Sequence, residues 1–229
     1  MIVSGVRKGM SKKESQEQQQ VLHFRLRVLD LVEVYISSET SLSLTLGLTG
    51  PLLGLLERCI KDQQLRPLEG RLRHILALFG GLRRFKNVTD VTEEDLAESL
   101  SSILVHGQRT QAVFLAVAAE AAALAAFLAR AAQLIEGSGA LVKVFTSAAQ
   151  DFLSKRECVL PAAFFNPLLK TSWPGNLQLW KLFAEAAFDE DDKVRFHFVS
   201  FRVNFLIFSF WEFHSQDYTM PQIFIIKIF

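Results

Sequence analysis

Apolar residues recur at the spacing of an α-helix in one segment of this chain after another. Residues 65–85 show the pattern most clearly, because the apolar positions share one face and Arg residues fall on the opposite face. The apolar members are Leu65, Leu68, Leu72, Ile75, Leu76, Phe79 and Leu82. A face of this kind has to be buried against another element. No two alternating segments joined by a hairpin turn are present, so the sequence predicts an all-α fold.

Proline, glycine and capping residues place the ends of the predicted helices. The segment from Thr92 to Asp95 resembles a capping box, in which side chains bind backbone N–H groups of the first helical turn. Gly50-Pro51 is expected to end one short helix and begin another, since proline fits the first turn of a helix and clashes in its interior. The predicted helices cover residues 21–36, 41–61 with that break, 65–85, 92–106, 109–136, 141–155, 161–169 and 177–188.

Short connections between successive amphipathic helices favour antiparallel helix pairs. Two architectures fit this order: a helix bundle, and an α-solenoid of the armadillo or HEAT kind, in which such pairs stack. The segment 112–129 is apolar except for Glu120, and its length invites comparison with a membrane span. Its bulk is Ala, which is only weakly lipophilic, so a buried helix inside a helical stack is favoured. We therefore expect no membrane partner.

The two ends of the chain differ in composition from the region between them. Residues 1–20 are rich in Gln, Glu, Lys and Ser, which predicts a polar, flexible lead-in. Residues 21–192 carry the helical patterns and form the predicted helical-repeat domain. From residue 196 onward, nine of the 20 Phe residues fall within 34 positions that contain no Ala and no Gly. We expect this Phe-rich tail, residues 193–229, to be poorly ordered and poorly packed against the helices.

We hypothesise that the Phe-rich tail is translated intron. Phe, Ile, Asn and Lys have AT-rich codons, whereas Ala, Gly and Arg have largely GC-rich ones. Lys193-Val194-Arg195 can be encoded by AAG-GTG-AGA, and AAG followed by GTGAG is a consensus splice donor. Such a segment would have to be excluded from fold reasoning, like any processing scar. A spliced transcript that still encodes the tail would refute the hypothesis.

The sequence contains none of the common motifs of catalysis, metal binding or cofactor binding. Gly-rich phosphate loops, the GxSxG elbow, HExxH and CxxC are all missing. The five His residues are scattered, and the carboxylate run 189–192 has no partner Lys, so it is interpreted as a solvated linker. Cys59 and Cys158 are predicted to be buried free thiols in a reducing compartment. We predict no catalytic residue, no metal, no cofactor and no small-molecule substrate.

One basic cluster is the best candidate for a binding surface. The net charge is only +1, so the chain has no global basic field for nucleic acid. Locally, Arg and Lys side chains on one helix face could meet nucleic-acid phosphates or an acidic protein. An ordinary solvated face is the alternative, because almost no exposed aromatic residues are interleaved for base stacking. The cluster consists of Arg66, Arg71, Arg73, His74, Arg83, Arg84 and Lys86.

Three segments resemble the C-terminal helical region of the Myb-binding protein 1A / DNA polymerase V (polymerase phi) family. The segments are HFRLRVLDLVEVY at 23–35, PLLGLLE at 51–57 and FLSKRECVLPAAFF at 152–165. The resemblance spans residues 21–192 and does not continue into the Phe-rich tail. These segments are helix-face patterns rather than catalytic motifs.

The resemblance implies an armadillo-like fragment of a large protein of the nucleus and nucleolus. Such proteins bind transcription factors and other nuclear proteins, and act in ribosomal RNA (rRNA) transcription and ribosome biogenesis. The expected function is therefore a non-enzymatic interaction module and transcription co-regulator, with DNA or rRNA binding through the Arg66–Lys86 face as the alternative. The polymerase activity in the family name has no support here, because acidic metal-binding motifs are absent. The family's long N-terminal helical region, acidic stretch and basic C-terminal tail are also missing.

Overall fold

The computed structural model describes residues 12–38, 40–109, 111–137, 139–155 and 158–188. The Phe-rich tail, the acidic run 189–192 and residues 1–11 of the predicted lead-in lie outside the described residues. The expectations for those segments therefore stay predictions.

Within the described ranges, the secondary structure is almost entirely α-helical. A turn of 3-10 helix, Gln63–Leu65, precedes α3, and the described residues form no β-strand beyond an isolated parallel bridge between Ser41 and Asn87. The predicted all-α fold is confirmed. The helices are α1 (Lys12–Ser37), α2 (Leu42–Lys61), α3 (Arg66–Gly81), α4 (Glu93–Arg109), α5 (Gln111–Ala131), α6 (Gly139–Ser154), α7 (Ala162–Lys170) and α8 (Asn176–Phe188).

The helices stack in two layers. One layer contains α1, α3, α5 and α7, the other contains α2, α4, α6 and α8, and each helix packs against the next member of its own layer. The layers meet where α2 contacts α3 and α5, α4 contacts α5, and α7 contacts α8. α1 and α3, neighbours within one layer, run parallel, because Asp30 and Glu33 of α1 contact Arg71 and His74 of α3 in the same order. This arrangement is a helical-repeat stack, or α-solenoid, rather than a closed bundle.

α5 forms the centre of the stack. It packs against α2, α3, α4 and α7, and its many Ala side chains allow these helices to approach closely. By length and composition, Val113–Ala131 is able to cross a membrane, but most of that stretch is buried inside the protein. The structure therefore places this segment in the core, as its Ala content led us to expect.

The predicted break at Gly50-Pro51 is wrong. α2 continues from Leu42 to Lys61 with Pro51 in its interior. Pro51 has no N–H to donate to the Gly47 carbonyl, and both residues are exposed, so water is able to solvate that carbonyl. On the other side of the helix, Leu46 and Leu53 are buried in the core on either side of the proline. Packing of that face stabilises the helix across the missing hydrogen bond.

The predicted flexible lead-in is wrong for residues 12–20, which belong to α1. Side chains 16–20 are all exposed, so this extension is not held by burial. Gln, Glu and Lys are good helix formers, and a polar stretch joined to a packed helix therefore prolongs it. Two other helices end earlier than predicted, α3 at Gly81 and α5 at Ala131.

Polar contacts fix the starts of α4 and α6. Thr92 donates its backbone N–H and its hydroxyl to Asp95 Oδ2 at 2.8 and 2.9 Å, and the Asp95 N–H donates to the Thr92 hydroxyl at 3.3 Å. These bonds confirm the predicted capping box. Glu93, in the first turn of α4, accepts the backbone N–H of Ala140 at the start of α6. The chain turns before α6 at Gly137, whose φ of 89° favours glycine.

Candidate functional site

The end of α3 divides the predicted basic cluster into two groups. α3 has 16 residues, which corresponds to about 24 Å at the rise of an α-helix. Arg66 at its start is therefore far from the cations beyond its end, and the cluster is not the continuous basic face that the sequence predicted. The first group is Arg66, Arg71, Arg73 and His74 on α3, and the second is Arg83, Arg84 and Lys86 in the connection that follows.

Arg71 and His74 join α3 to α1. Arg71 Nη2 lies 2.6 Å from Asp30 Oδ1 and 2.5 Å from Glu33 Oε2. His74 Nε2 lies 3.3 Å from Glu33 Oε1. Partly exposed pairs of this kind contribute only about 0–1 kcal/mol to stability. These ion pairs nevertheless neutralise the charge of Arg71 within the protein.

Arg73 joins α3 to α5. Its guanidinium donates to Glu120 Oε1 at 2.5 Å, to Glu69 Oε1 at 3.0 Å and to the Ala116 carbonyl at 3.1 Å. Burial disfavours the charged form, but the hydrogen bonds with Glu120 and then Glu69 outweigh it and raise the pKa of Arg73. Most donors of Arg73 are therefore already used, contrary to the outward-facing role predicted for it.

Arg83, in the second group, lines a cleft that the sequence analysis did not find. The cleft has a volume of about 320 Å³ and lies between the end of α3, the end of α5 and the turn after α7. Two further cations, Arg130 and Lys170, line it beside Thr171 and Ser172. None of the described residues that line it is acidic. We call this site the basic cleft.

Arg130 reaches from α5 to the C-terminal end of α3. Its Nη2 donates to the Gly80 carbonyl at 2.9 Å and lies 3.4 Å from the Phe79 carbonyl. A cation is favourable there, because unpaired carbonyls give a helix C-terminus partial negative charge. The Nε of the same side chain is buried and has no hydrogen-bond partner among the described residues. Burial and the positive charge of Arg83 lower the pKa of Arg130.

Only a weak signal in the sequence marks Arg130 and Lys170. Each is the basic residue in the last turn of its helix, a position where cations commonly offset the helix dipole. They lie 40 positions apart in the sequence and belong to no local cluster. Only the stacking of α5 and α7 brings them to the same cleft.

A second surface runs along the outer side of α1. The inner side of this helix contributes Leu29 and Ile36 to the core. Large apolar side chains on the outer side stay exposed, with Phe24 at 67% and Leu31 at 69%. Spacings of three and four residues place them on one stripe. The α1 stripe consists of Val21, Phe24, Val28, Leu31 and Val34.

A groove between α2 and α4 carries the carboxylates of Asp90, Asp95 and Glu98. Asp95 is already engaged, because it accepts hydrogen bonds from the backbone N–H and the hydroxyl of Thr92. These bonds lower the pKa of Asp95. Asp90 accepts a hydrogen bond from Asn87 at 2.8 Å. In the part of the chain that the structure describes, no three His, Cys, Asp or Glu residues form a group suited to a metal ion.

A family model described as Myb-binding protein 1A-like, TPR repeats, matches residues 39–196, which is more than half of the chain. The match begins after α1 and includes α2 to α8. No curated protein and no solved structure shows significant similarity to the chain. TPR repeats are antiparallel helix pairs that stack, so the family description agrees with the two observed layers. It names TPR rather than the armadillo or HEAT repeats that we had predicted.

Proposed function

The chain belongs to the Myb-binding protein 1A-like TPR-repeat family, and we propose that it is a protein-interaction module that binds an amphipathic helix of a nuclear transcription factor. Helical-repeat proteins use extended side-chain surfaces to bind partners, and each repeat contacts only its neighbours. The observation that carries the proposal is the α1 stripe, an exposed apolar surface on a helix whose other side is packed.

The stacking of the helices explains why a helix fits the α1 stripe. α3 and α5 each pack between two neighbours of their own layer, whereas among the described helices of that layer α1 packs against α3 only. A helix laid along the open side of α1 would continue the layer. Phe24 and Leu31 lie seven residues apart, or about 10 Å along the helix. Apolar anchors at this spacing are typical of surfaces that pair with an amphipathic helix.

Charge beside the α1 stripe indicates the chemistry of the partner helix. Arg25 and Arg27 are both exposed and make no ion pair with a described carboxylate. On a helical wheel Arg25 lies beyond Val21 at one edge of the stripe, and Arg27 lies toward the other edge, between Leu31 and Val34. We therefore propose that acidic residues border the apolar face of the partner helix, because complementary charge fixes orientation and suppresses wrong partners.

We further propose that the chain acts in the nucleus and nucleolus, as a transcription co-regulator in rRNA transcription and ribosome biogenesis. The proposal includes no catalytic step and no cofactor. Its support is the family, whose description names a Myb-binding protein. Imaging the tagged full chain in cells tests the location. Exclusion from the nucleus would contradict this part of the proposal.

Binding of the purified full chain to a Myb transcription factor tests the module. Phe24→Asp combined with Leu31→Asp should weaken binding at least ~30-fold, since a buried interface anchor typically contributes 2 kcal/mol or more. Leu177→Asp on α8 is the matched control, because Leu177 is 77% exposed and lies outside the α1 stripe. Both proteins should keep the wild-type melting temperature. An unchanged affinity in the double variant would show that the α1 stripe is not part of the interface. If the wild-type chain does not bind the Myb transcription factor, this class of partner is wrong.

DNA or rRNA binding through the basic residues stays a prediction. Arg71 and Arg73 are paired inside the protein, so fewer cations are available to phosphates than the sequence indicated. Arg84→Glu with Lys86→Glu tests the idea without touching those ion pairs. If the residues bind phosphates, the slope of log affinity against log salt should become smaller by about 2. Equal nucleic-acid affinity in the variant and the wild type would contradict the prediction.

A further inference from the structure

The basic cleft holds more positive charge than the neighbouring helix ends require. Arg130 already donates to the last carbonyls of α3, and Lys170 lies in the last turn of α7. Arg83 has no such role: it follows the end of α3, is exposed and forms no ion pair with a described residue. Like charges held close together repel, and an anion between them removes that repulsion.

Donors and apolar surface meet in the same cleft. The buried Nε of Arg130 lacks a hydrogen-bond partner among the described residues, and an unpaired buried donor is costly. Thr171 and Ser172 are polar members of the lining, although the Thr171 hydroxyl already donates to the Pro167 carbonyl at 2.7 Å. Apolar surface comes from Leu134, which is 45% exposed. The lining therefore fits a ligand that carries an anionic group beside an apolar one.

We propose that the basic cleft binds a short acidic peptide segment of a protein partner, with a carboxylate between Arg83 and Arg130 and an apolar side chain against Leu134. Arginine suits this role because its planar fork of donors matches the two oxygens of a carboxylate. The proposal adds a second surface to the interaction module and involves α3, α5 and α7 but not α1. It rests on the proposed function only in that the ligand belongs to a protein.

The shape of the basic cleft favours a peptide over a nucleic acid. Strand binding requires cations along a track and exposed aromatic rings for the bases. The cleft is compact, at about 320 Å³, and its two rings offer little face for stacking, since Phe127 is 1% exposed and Phe85 is half-buried. Arg71 and Arg73, which would have extended a track along α3, are engaged with carboxylates on α1 and α5.

Fluorescence anisotropy with the full chain tests the proposal. The probe is a fluorescein-labelled peptide of four Glu and two Leu residues, and its partner probe has Gln in place of every Glu. The Glu peptide should bind at least ~10-fold more tightly than the Gln peptide, a difference of about 1.4 kcal/mol. Arg83→Glu should lower affinity for the Glu peptide at least ~10-fold, because it places a carboxylate where the ligand's carboxylate binds. Arg83 makes no ion pair within the described part of the chain, and its loss also relieves the repulsion with Arg130. The melting temperature of the Arg83→Glu variant should therefore not fall below that of the wild type.

Arg66→Glu is the matched control, because Arg66 is exposed at the other end of α3 and lies outside the cleft. Equal losses in Arg66→Glu and Arg83→Glu would show attraction to net charge only and overturn the proposal. No saturable binding of the Glu peptide would overturn it as well. Tighter binding of a single-stranded RNA of equal charge, lost in Arg83→Glu, would reassign the cleft to nucleic acid. The Phe24→Asp, Leu31→Asp variant should bind the Glu peptide normally, which separates this site from the α1 stripe.

Discussion

α1 and α5 lie in the same layer, and both carry apolar residues on more than one side. α5 is enclosed by α2, α3, α4 and α7, and it has eight side chains from Ala121 to Ala129 that are at least nine-tenths buried. α1 packs on α3 through one side and leaves Phe24 and Leu31 exposed on the other. The same kind of side chain therefore belongs to the core in one helix and to a surface in the other.

The difference comes from the position of each helix in the stack, because both helices pack against their neighbours in the layer in the same way. A helix inside a layer has neighbours on both sides, whereas α1 has one described neighbour in its layer. Apolar residues of α5 should consequently determine the free energy of unfolding. Outer residues of α1 should leave that free energy unchanged and determine binding instead. Paired substitutions in the two helices test whether this separation holds.

The largest expected contrast is between Phe127→Ala and Phe24→Ala. Phe127 is 1% exposed and its ring lies 5.5 Å from that of Phe79 and 6.0 Å from that of Phe85. Removing such a ring leaves a cavity and should cost about 3–5 kcal/mol of unfolding free energy. Phe24→Ala removes an exposed ring and should change that free energy by no more than ~0.5 kcal/mol. Urea denaturation of the full chain measures both values.

The slope of the urea transition is the control for this pair, because a changed slope would indicate a changed denatured state rather than a lost contact. A loss above about 2 kcal/mol in Phe24→Ala would show that the α1 stripe is already covered within the protein. That result would abolish the distinction between the two helices.

A smaller contrast is expected between the ion pairs that connect α3 to its two neighbours. Arg73→Ala leaves Glu120, whose side chain is only 13% exposed, without its partner at the α5 side. Arg71→Ala removes the arginine that pairs with two carboxylates on the α1 side, those of Asp30, which is 55% exposed, and Glu33, which is 24% exposed. Because Arg73 itself is 34% exposed, solvent screening keeps the expected cost of its loss near 1–2 kcal/mol. The Arg71 variant should lose no more than ~1 kcal/mol.

Thermal and urea unfolding of the two variants measure this contrast. Arg73→Lys is a useful companion, since it keeps the charge but lacks the planar fork that reaches Glu120, Glu69 and the Ala116 carbonyl together. It should recover only part of the stability. Equal losses for Arg71→Ala and Arg73→Ala would mean that burial differs less between the two sides of α3 than the structure indicates.

Local signals explain how much of this fold could be predicted from the sequence. The spacing of apolar residues and the Thr92–Asp95 cap lie within single helices, and both identified real elements. The errors at Pro51 and at residues 12–20 arose where the tertiary setting decides the outcome. An exposed proline is tolerated when the other face is packed, and a polar stretch stays helical when the helix continues into a core.

The candidate surfaces were harder to predict because their partners are distant in the sequence. Arg71 hydrogen-bonds a carboxylate 41 residues away, and Arg73 one that is 47 residues away. No helical spacing within α3 distinguishes such engaged cations from the exposed Arg83. The outer stripe of α1 was visible as apolar residues in the sequence. That it stays exposed depends on the number of neighbours, which only the stack shows.

The smallest effect is expected at a contact that owes nothing to burial. Hydrogen bonds from Thr92 lower the pKa of Asp95, so the ionised carboxylate favours the folded state. Its contribution is present above the unfolded-state value of about 3.9 and is lost as pH falls through the lower folded-state pKa. Asp95→Ala should therefore destabilise the chain slightly at pH 7, and its difference from the wild type should shrink as the medium is acidified. Over the same range, the gap between Phe127→Ala and Phe24→Ala should persist, because apolar burial does not titrate. Urea midpoints measured at a series of pH values report the stability difference in each pair of proteins. If the loss caused by Asp95→Ala stays constant down to the lowest pH at which the chain folds, the charge of the carboxylate does not stabilise this cap.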